Sequence, residues 1–350
     1  QISAQWRLWF ATACSFGARM PTTLCNVLSA CARLGHSEPA LAAAICERAS
    51  DALSGVSAGG KPSGGWTLLN ITDTAWASAL ILAAAAEDGS SEQGGELAVA
   101  LRKLLRAVCE AALRLGPREA SKMHVAHSAL RAWEAGAPRD GAVEAAWQPP
   151  DGCASKWRKA FRMDGEGHIS KFQAQVGEVL RSEVLPELFP QGCTVQDEVL
   201  VGDLTVDMVL KPKGAAKSIV VEADGPTHFV TPISDPTSRA LNGATRFRMW
   251  LLRWQGVLPV SVPDDKFKAR LDRQAKYLTK LLRHVASECM GEAGDAGALA
   301  GKTAAEAGAG SAAGEALDAK PKKRRRSAAG ADDDAGEVKS RKRRRTDSCG

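Results

Sequence analysis

The sequence predicts an α + α/β protein: a helical amino-terminal region, a small α/β domain, and a basic tail with no core of its own. Three observations predict it. Over residues 1–135, small and apolar residues recur at helical spacing in patches that resemble one another. From 166 to 290, β-branched runs of strand length alternate with longer amphipathic stretches. Over 291–350 the chain is rich in Ala, Gly and Asp and carries two basic clusters. That composition cannot bury enough apolar surface to offset the entropy of ordering, so the tail is expected to be disordered. With 350 residues, 45 % hydrophobic and 25 % charged, the chain has material for one large or two ordinary folded domains besides the tail.

The helical region, 1–135, is read from its repeated patch. Residues 9–17, 27–35 and 75–80 share a small-apolar character, with a fainter echo over 124–133. The last three lie about 48–50 residues apart, and Gly/Ser-rich insertions at 54–65 and 89–95 account for part of that spacing. A period near ~40 without the insertions suggests stacked helix pairs, an α-solenoid-like array of helical repeats. An ordinary helical bundle with Ala-rich interfaces would give a similar pattern. Trp6, Trp9, Trp66 and Trp76 read as core residues, with base stacking as the alternative. No apolar run reaches the roughly 18–20 residues that span a bilayer, and the most apolar stretch, 75–86, reads as a buried helix. The chain opens on Gln1 rather than Met, so a preceding segment, with any targeting peptide, is expected.

Residues 136–165, with Pro138, Pro149 and Pro150, read as a linker. The α/β domain, 166–290, begins with a helix near 170–188 that carries Phe172, Val176, Leu180 and Val184. Strands are expected at 194–200, 203–210 and 217–224, then a helix at 238–255 and a strand at 257–262. A last helix, 264–288, is expected to be capped by Asp264.

The chemistry gathers on the second and third strands. Val206-Asp207-Met208-Val209-Leu210 and Ser218-Ile219-Val220-Val221-Glu222 flank the turn-forming 211–217, so they read as a hairpin. Asp207 and Glu222 are then roughly opposite, ~5 Å apart at Cβ. Period-two alternation adds Asp224 to the same face. Three such carboxylates repel one another unless a cation, a proton or a basic partner is present. Asp207, Glu222 and Asp224 therefore form the candidate acidic site of the chain. His228, just after a Gly-Pro turn, is a candidate proton shuttle or a donor to a nearby carboxylate. Arg239, Arg246 and Arg253 recur every seven residues, which places them in one stripe of a helix. Such a stripe can hold phosphates or face solvent. Phe247, Trp250 and Trp254 read as packing residues of the same helix.

Net charge is +6, and its location matters more than its size. From Lys320 onward there are 12 basic and 5 acidic residues, leaving 34 and 35 of the chain's 46 and 40 for the rest. The body is thus near neutral, and any nucleic acid it holds needs a local basic patch. The nine cysteines form no CxxC pair, which argues against a disulfide framework or zinc site and for reduced thiols in an intracellular compartment.

The element order, with Asp207 and Glu222-Ala223-Asp224 on adjacent strands, resembles the PD-(D/E)XK, restriction-endonuclease-like core. The resemblance implies an acid on the second strand and an acid-x-Lys on the third, which bind a divalent cation while the Lys assists at the phosphate; it makes Asp207, Glu222 and Asp224 the candidate catalytic acids and Asp207 and Glu222 the candidate ligands for Mg²⁺ or Mn²⁺. Asp224 stands where that family has its Lys, which works against phosphodiester cleavage. Glu178 is the candidate for an added helix acid and Lys171 for a borrowed lysine. A closer resemblance is to the RAP domain, a reduced relative of this core. It rests on Val221-Glu222-Ala223-Asp224-Gly225-Pro226-Thr227-His228-Phe229 and Leu241-Asn242-Gly243-Ala244-Thr245. It continues through Arg246-Phe247-Arg248-Met249-Trp250-Leu251-Leu252, Gly256-Val257-Leu258-Pro259-Val260-Ser261-Val262-Pro263 and Lys276-Tyr277-Leu278-Thr279-Lys280-Leu281-Leu282. The amino-terminal patches are similar to the helical arrays of FAST-kinase-like and octotricopeptide-repeat RAP proteins.

That resemblance implies binding of single-stranded RNA, with other RNA-processing proteins as further partners and no membrane. It also implies a role in mitochondrial or plastid RNA stability, processing, splicing or translation. The basic clusters at 320–326 and 339–345 look instead like nuclear-localisation signals, so the nucleus is the alternative compartment. A metal-dependent nuclease acting on RNA or DNA through Asp207, Glu222 and Asp224 is the second functional expectation. A protein scaffold whose tail alone meets nucleic acid is the third.

Overall fold

The computed structural model describes residues 20–57, 60–136, 147–150, 152–163, 169–231, 238–269 and 273–291. The patch at 9–17, Trp6, Trp9 and the basic clusters lie outside the described residues. So does Pro138.

Helices α1 (Pro21–Leu34) and α2 (Pro39–Asp51) both open on proline, whose missing N–H costs nothing in a first turn. Gly35, at φ 75°, closes α1 in the left-handed conformation, where its N–H donates to Ala32 O and that of His36 to Cys31 O. α3 (Leu68–Glu87) starts at a reciprocal Thr67–Asn70 capping box. α4 (Ser91–Glu110) and α5 (Pro117–Gly136) follow. Alternate helices pack in two layers, α1 on α3 on α5 and α2 on α4. The patches at 27–35, 75–80 and 124–133 fall on α1, α3 and α5, the successive helices of one layer.

α3 lies at the centre and is apolar nearly all round, as a helix buried on every side must be. It is 20 residues long and its most apolar 18-residue window has a mean hydropathy of 1.4, so by length and composition alone it could cross a bilayer. This revises the reading of 75–86 as the limit of the apolar helix. Here 78 % of the apolar window is buried against the rest of the chain.

The expected linker holds a helix, α6 (Cys153–Met163), packed on α5. Trp157, only 4 % exposed, anchors it. The prolines at 149 and 150 precede this helix, and the amphipathic stretch after them overrides the linker composition.

In the sheet-bearing part, α7 (Lys171–Val179) passes through a π turn (Leu180–Val184) into α8 (Leu185–Leu188). Then come β1 (Cys193–Val201), β2 (Leu204–Pro212), β3 (Ile219–Asp224), β4 (Phe229–Val230) and β5 (Ala240–Leu241). α9 (Gly243–Trp254), β6 (Leu258–Pro263), α10 (Asp264–Lys268) and α11 (Gln274–Met290) complete it. The sheet order is β1-β2-β3-β6, with β3 and β6 parallel and the other pairs antiparallel. β4 and β5 form a separate small ribbon.

One face of this sheet, through Met208, Leu210, Ile219 and Val221, packs on α7, the π turn after it, α10 and α11 by way of Val176, Leu180, Phe267, Leu278 and Leu282. The other, through Val209 and Val220, packs on Phe247, Leu251 and Leu252 of α9, within the same apolar cluster as α1–α5. The helical array and the sheet therefore share one core.

Two expected elements change. The helix expected from 238 starts at Asn242, because Ala240–Leu241 pair with Phe229–Val230 first. The expected last helix is two helices, and Asp264 is not its cap: β6 runs on to Pro263, which occupies the cap position.

Candidate functional site

The hairpin aligns Met208 with Val221 and Leu210 with Ile219, so the register carried one step further sets Asp207 across from Glu222. Glu222 and Asp224 are 6 % and 3 % exposed. On the neighbouring strand Glu198, at a non-glycine φ of 50°, interrupts the β1–β2 pairing beside Asp207. Its charge adds to the acidity of the site.

Each expected carboxylate has a partner. Arg248, midway along α9, places Nη2 3.0 Å and Nε 3.2 Å from Glu222 Oε1 and also donates to Thr205 O. Asp207 Oδ2 accepts the Ala223 N–H at 2.7 Å. Asp224 accepts from the Ser261 hydroxyl, and His228 Nδ1 stands 3.0 Å from its Oδ1 and 3.2 Å from Thr245 Oγ1. The reading of His228 as a donor to a carboxylate thus matches its geometry. Asn242 ties this turn to α9, its Nδ2 donating to Thr227 O while its Oδ1 caps the helix through Thr245 N.

From the other side of the sheet comes Gln173, not Glu178. The Ser170–Gln173 capping box sets this side chain so that Nε2 donates to Glu198 Oε1 at 2.6 Å and Asp207 O at 3.3 Å. Glu178 and Lys171 are exposed on α7.

Burial pushes the Glu222 carboxyl up to about 7 against the pull of Arg248, with Asp207 and Asp224 adding to the rise. Burial likewise raises Asp207. The hydrogen bond to Asp224 raises His228 above its ordinary value. The folded state therefore holds a proton on Glu222 more tightly than the unfolded chain, whose carboxyl titrates near 4.5. Stability from this group falls as pH rises from about 4.5 through 7, and His228 extends the fall above 6.5. Glu222→Gln is expected to flatten that decline relative to wild type in thermal melts between about pH 5 and 8. Parallel profiles for the two proteins would contradict it.

This donor set does not fit a divalent cation. Among the described residues no three His, Cys, Asp or Glu side chains are grouped to hold a metal, and the Glu222 oxygen aimed at the site is already held by a guanidinium. The basic partner that three converging carboxylates require is Arg248, supplied by the crossover helix.

The arginine stripe is also redistributed. Arg239 precedes the Asn242 cap, so it is off the helix, 3.3 Å from Asp265 and over the Phe229 ring. Arg246 and Arg253 both reach Glu87 at the end of α3, at 3.1 and 2.8 Å, and Arg246 also donates to Gly35 O. A glutamate at a helix C-terminus opposes the macrodipole, which the two guanidiniums offset. The stripe expected to meet phosphates thus clamps α9 to the array. Sequence reading missed Arg248, Gln173 and Glu87. The available signal was the demand of buried acids for a cation from the one helix that crosses between β3 and β6.

Compared with known proteins, the chain matches no family model and no curated protein sequence.

Proposed function

We propose that the chain is an RNA-binding protein whose α/β domain keeps the outline of a nuclease centre but uses its acids to hold the fold. The observation that carries this reading is the Arg248–Glu222 pair. The acid at the nuclease-like position is closed by a guanidinium and not left open to a metal. The segments resembling the RAP domain surround that pair as β3 with its following turn, the capped helix α9, β6 and α11. The PD-(D/E)XK-like arrangement and an α-solenoid-like array belong to the same proposal, favoured by the element order and by the patches on α1, α3 and α5. The partner is single-stranded RNA, in a mitochondrion or plastid by resemblance or in the nucleus by the basic clusters.

The test incubates the full chain and its Glu222→Gln variant with labelled single-stranded RNA in Mg²⁺, Mn²⁺ or EDTA, scoring mobility shift and cleavage together. Binding with intact RNA in all three is expected. Metal-dependent cleavage that disappears in Glu222→Gln would overturn the reading in favour of a nuclease.

A further inference from the structure

Arg248 stands at the edge of a cleft of about 540 Å³ between the array and the sheet. Helices α3, α5, α6 and α9 and the β1–β2 turn line it. Its charge is one-sided: Arg131, Arg158, Arg162 and Arg248 line it against a single carboxylate, Asp203. Arg158 Nε and Arg162 Nη2 hold Asp203 at 3.1 and 2.7 Å, and the side chains of both arginines remain about half exposed. The Arg131 guanidinium lies 5.9 Å above the Trp254 ring. Around a near-neutral body, this is a local basic patch of the kind nucleic acid requires.

Residues that line the cleft also carry buried polar atoms that the fold leaves without partners. Of six such buried side-chain atoms among the described residues, three belong to its lining: His124 Nδ1, His127 Nε2 and Gln255 Oε1. His124 and His127 are 4 % and 5 % exposed, so each open nitrogen lacks bulk water as a substitute. Burial lowers both imidazoles to about 4, which leaves them neutral near pH 7; His124 Nε2, 3.2 Å from Asp203 Oδ2, donates there, so its open Nδ1 is an acceptor.

Trp254, 38 % exposed, is a wall of this cleft and also of a second groove of about 420 Å³, lined by Trp133, Trp250 and Arg253 among others. An exposed indole between two hollows, with a guanidinium over its face, is a platform for stacked bases. Each hollow is of small-ligand size, too small for a duplex.

We propose that these two hollows seat adjacent nucleotides of a single-stranded RNA. A base stacks at Trp254, Arg131, Arg158 and Arg162 hold the backbone phosphates, and the open imidazoles and Gln255 meet base edges or 2′-hydroxyls. The assignment rests on the RNA-binding reading above and adds to it the place of contact.

The experiment uses the full chain, a labelled oligouridylate of about twelve nucleotides carrying 4-thiouridine, and 5′-UMP as the free-nucleotide probe. Proteins are wild type, Trp254→Ala, Trp254→Phe and the double variant Arg131→Ala/Arg158→Ala. The readouts are affinity across a salt series and the peptides that crosslink. Trp254→Ala is expected to weaken binding about tenfold with little change in salt slope, and Trp254→Phe to restore most of it. The double arginine variant is expected to lower the slope by ~1.4, at about 0.7 per phosphate contact on a single strand. Wild-type crosslinks are expected on α5, α6 or α9, and they should disappear in Trp254→Ala.

RNA bound equally by all four proteins, with crosslinks only in the basic clusters, overturns the cleft while leaving RNA binding intact. No RNA binding by wild type overturns both readings. If 5′-UMP binds as tightly as the oligonucleotide and with the same variant sensitivity, the occupant is a free nucleotide and the RNA assignment falls.

Discussion

Replacing Arg248 with methionine is expected to cost about 3–5 kcal/mol of stability near pH 8 and much less near pH 5. The guanidinium is the cation facing Glu222, which is 6 % exposed and lies among Asp207 and Asp224. Near pH 8 the variant must either hold an unpaired carboxylate in the core or keep that carboxyl protonated well above its ordinary range, and both cost free energy. Its carboxyl, already raised to about 7 by burial, would rise further once the guanidinium is gone. Near pH 5 it is a neutral acid, and the remaining cost is the lost hydrogen bonds and packing, about 1–2 kcal/mol. The pH dependence is the part that simple loss of side-chain volume would not produce. Combining Arg248→Met with Glu222→Gln is expected to recover most of the loss, since neither buried charge is then unpaired. Denaturant unfolding of the four proteins at both pH values checks this, and additive losses near pH 8 would remove the ion pair as the cause.

Gly243→Ala is expected to destabilise the protein by about 3 kcal/mol or more through overpacking. Gly243 is the first residue of α9 and sits directly on the end of α1. A Cβ there would lie 1.7 Å from the carbonyl oxygen of Ala32 and 2.9 Å from its carbon. The obstacle is backbone, so no rotamer change relieves it, and that carbonyl already accepts the Gly35 N–H that closes α1. Either α9 moves off the array, loosening the Arg246 and Arg253 contacts with Glu87, or α1 loses its cap. The neighbouring Ala244 is exposed, so Ala244→Ser is the matched control. A fall in melting temperature of about 5–10 °C for Gly243→Ala, against almost none for the control, is the expected result. Equal melting temperatures would show that the close approach is not maintained in solution.

The two variants probe the same helix on its two sides, and neither contact is legible in the chain alone. Much else is. The β2–β3 hairpin follows from two β-branched runs around a Lys-Pro-Lys-Gly turn, and its register sets Asp207 against Glu222 because side chains in a strand alternate strictly. The strand positions follow from the same local rule. The start of α9 was also available in principle: Asn242 with Thr245 three residues on is a helix N-terminus, and it excludes Arg239 from the stripe. The linker composition around Pro149 and Pro150 likewise hid the short amphipathic helix that buries Trp157.

The four strands of the sheet in order, the acidic face of the hairpin, and the need of that face for a counter-charge are legible in the chain alone. Those are properties of neighbours a few residues apart, governed by backbone periodicity and turn chemistry. Only the packing of α9 across the sheet brings Arg248 to Glu222 as a counter-charge, and it turns Arg246 and Arg253 toward Glu87, more than 150 residues away in the chain. The tertiary structure also gathered arginines, open imidazoles and Trp254 from α5, α6 and α9 into one cleft. Such contacts depend on how a crossover helix is oriented between a sheet and a helical layer. That orientation is set by packing of whole faces, and no local pattern encodes it.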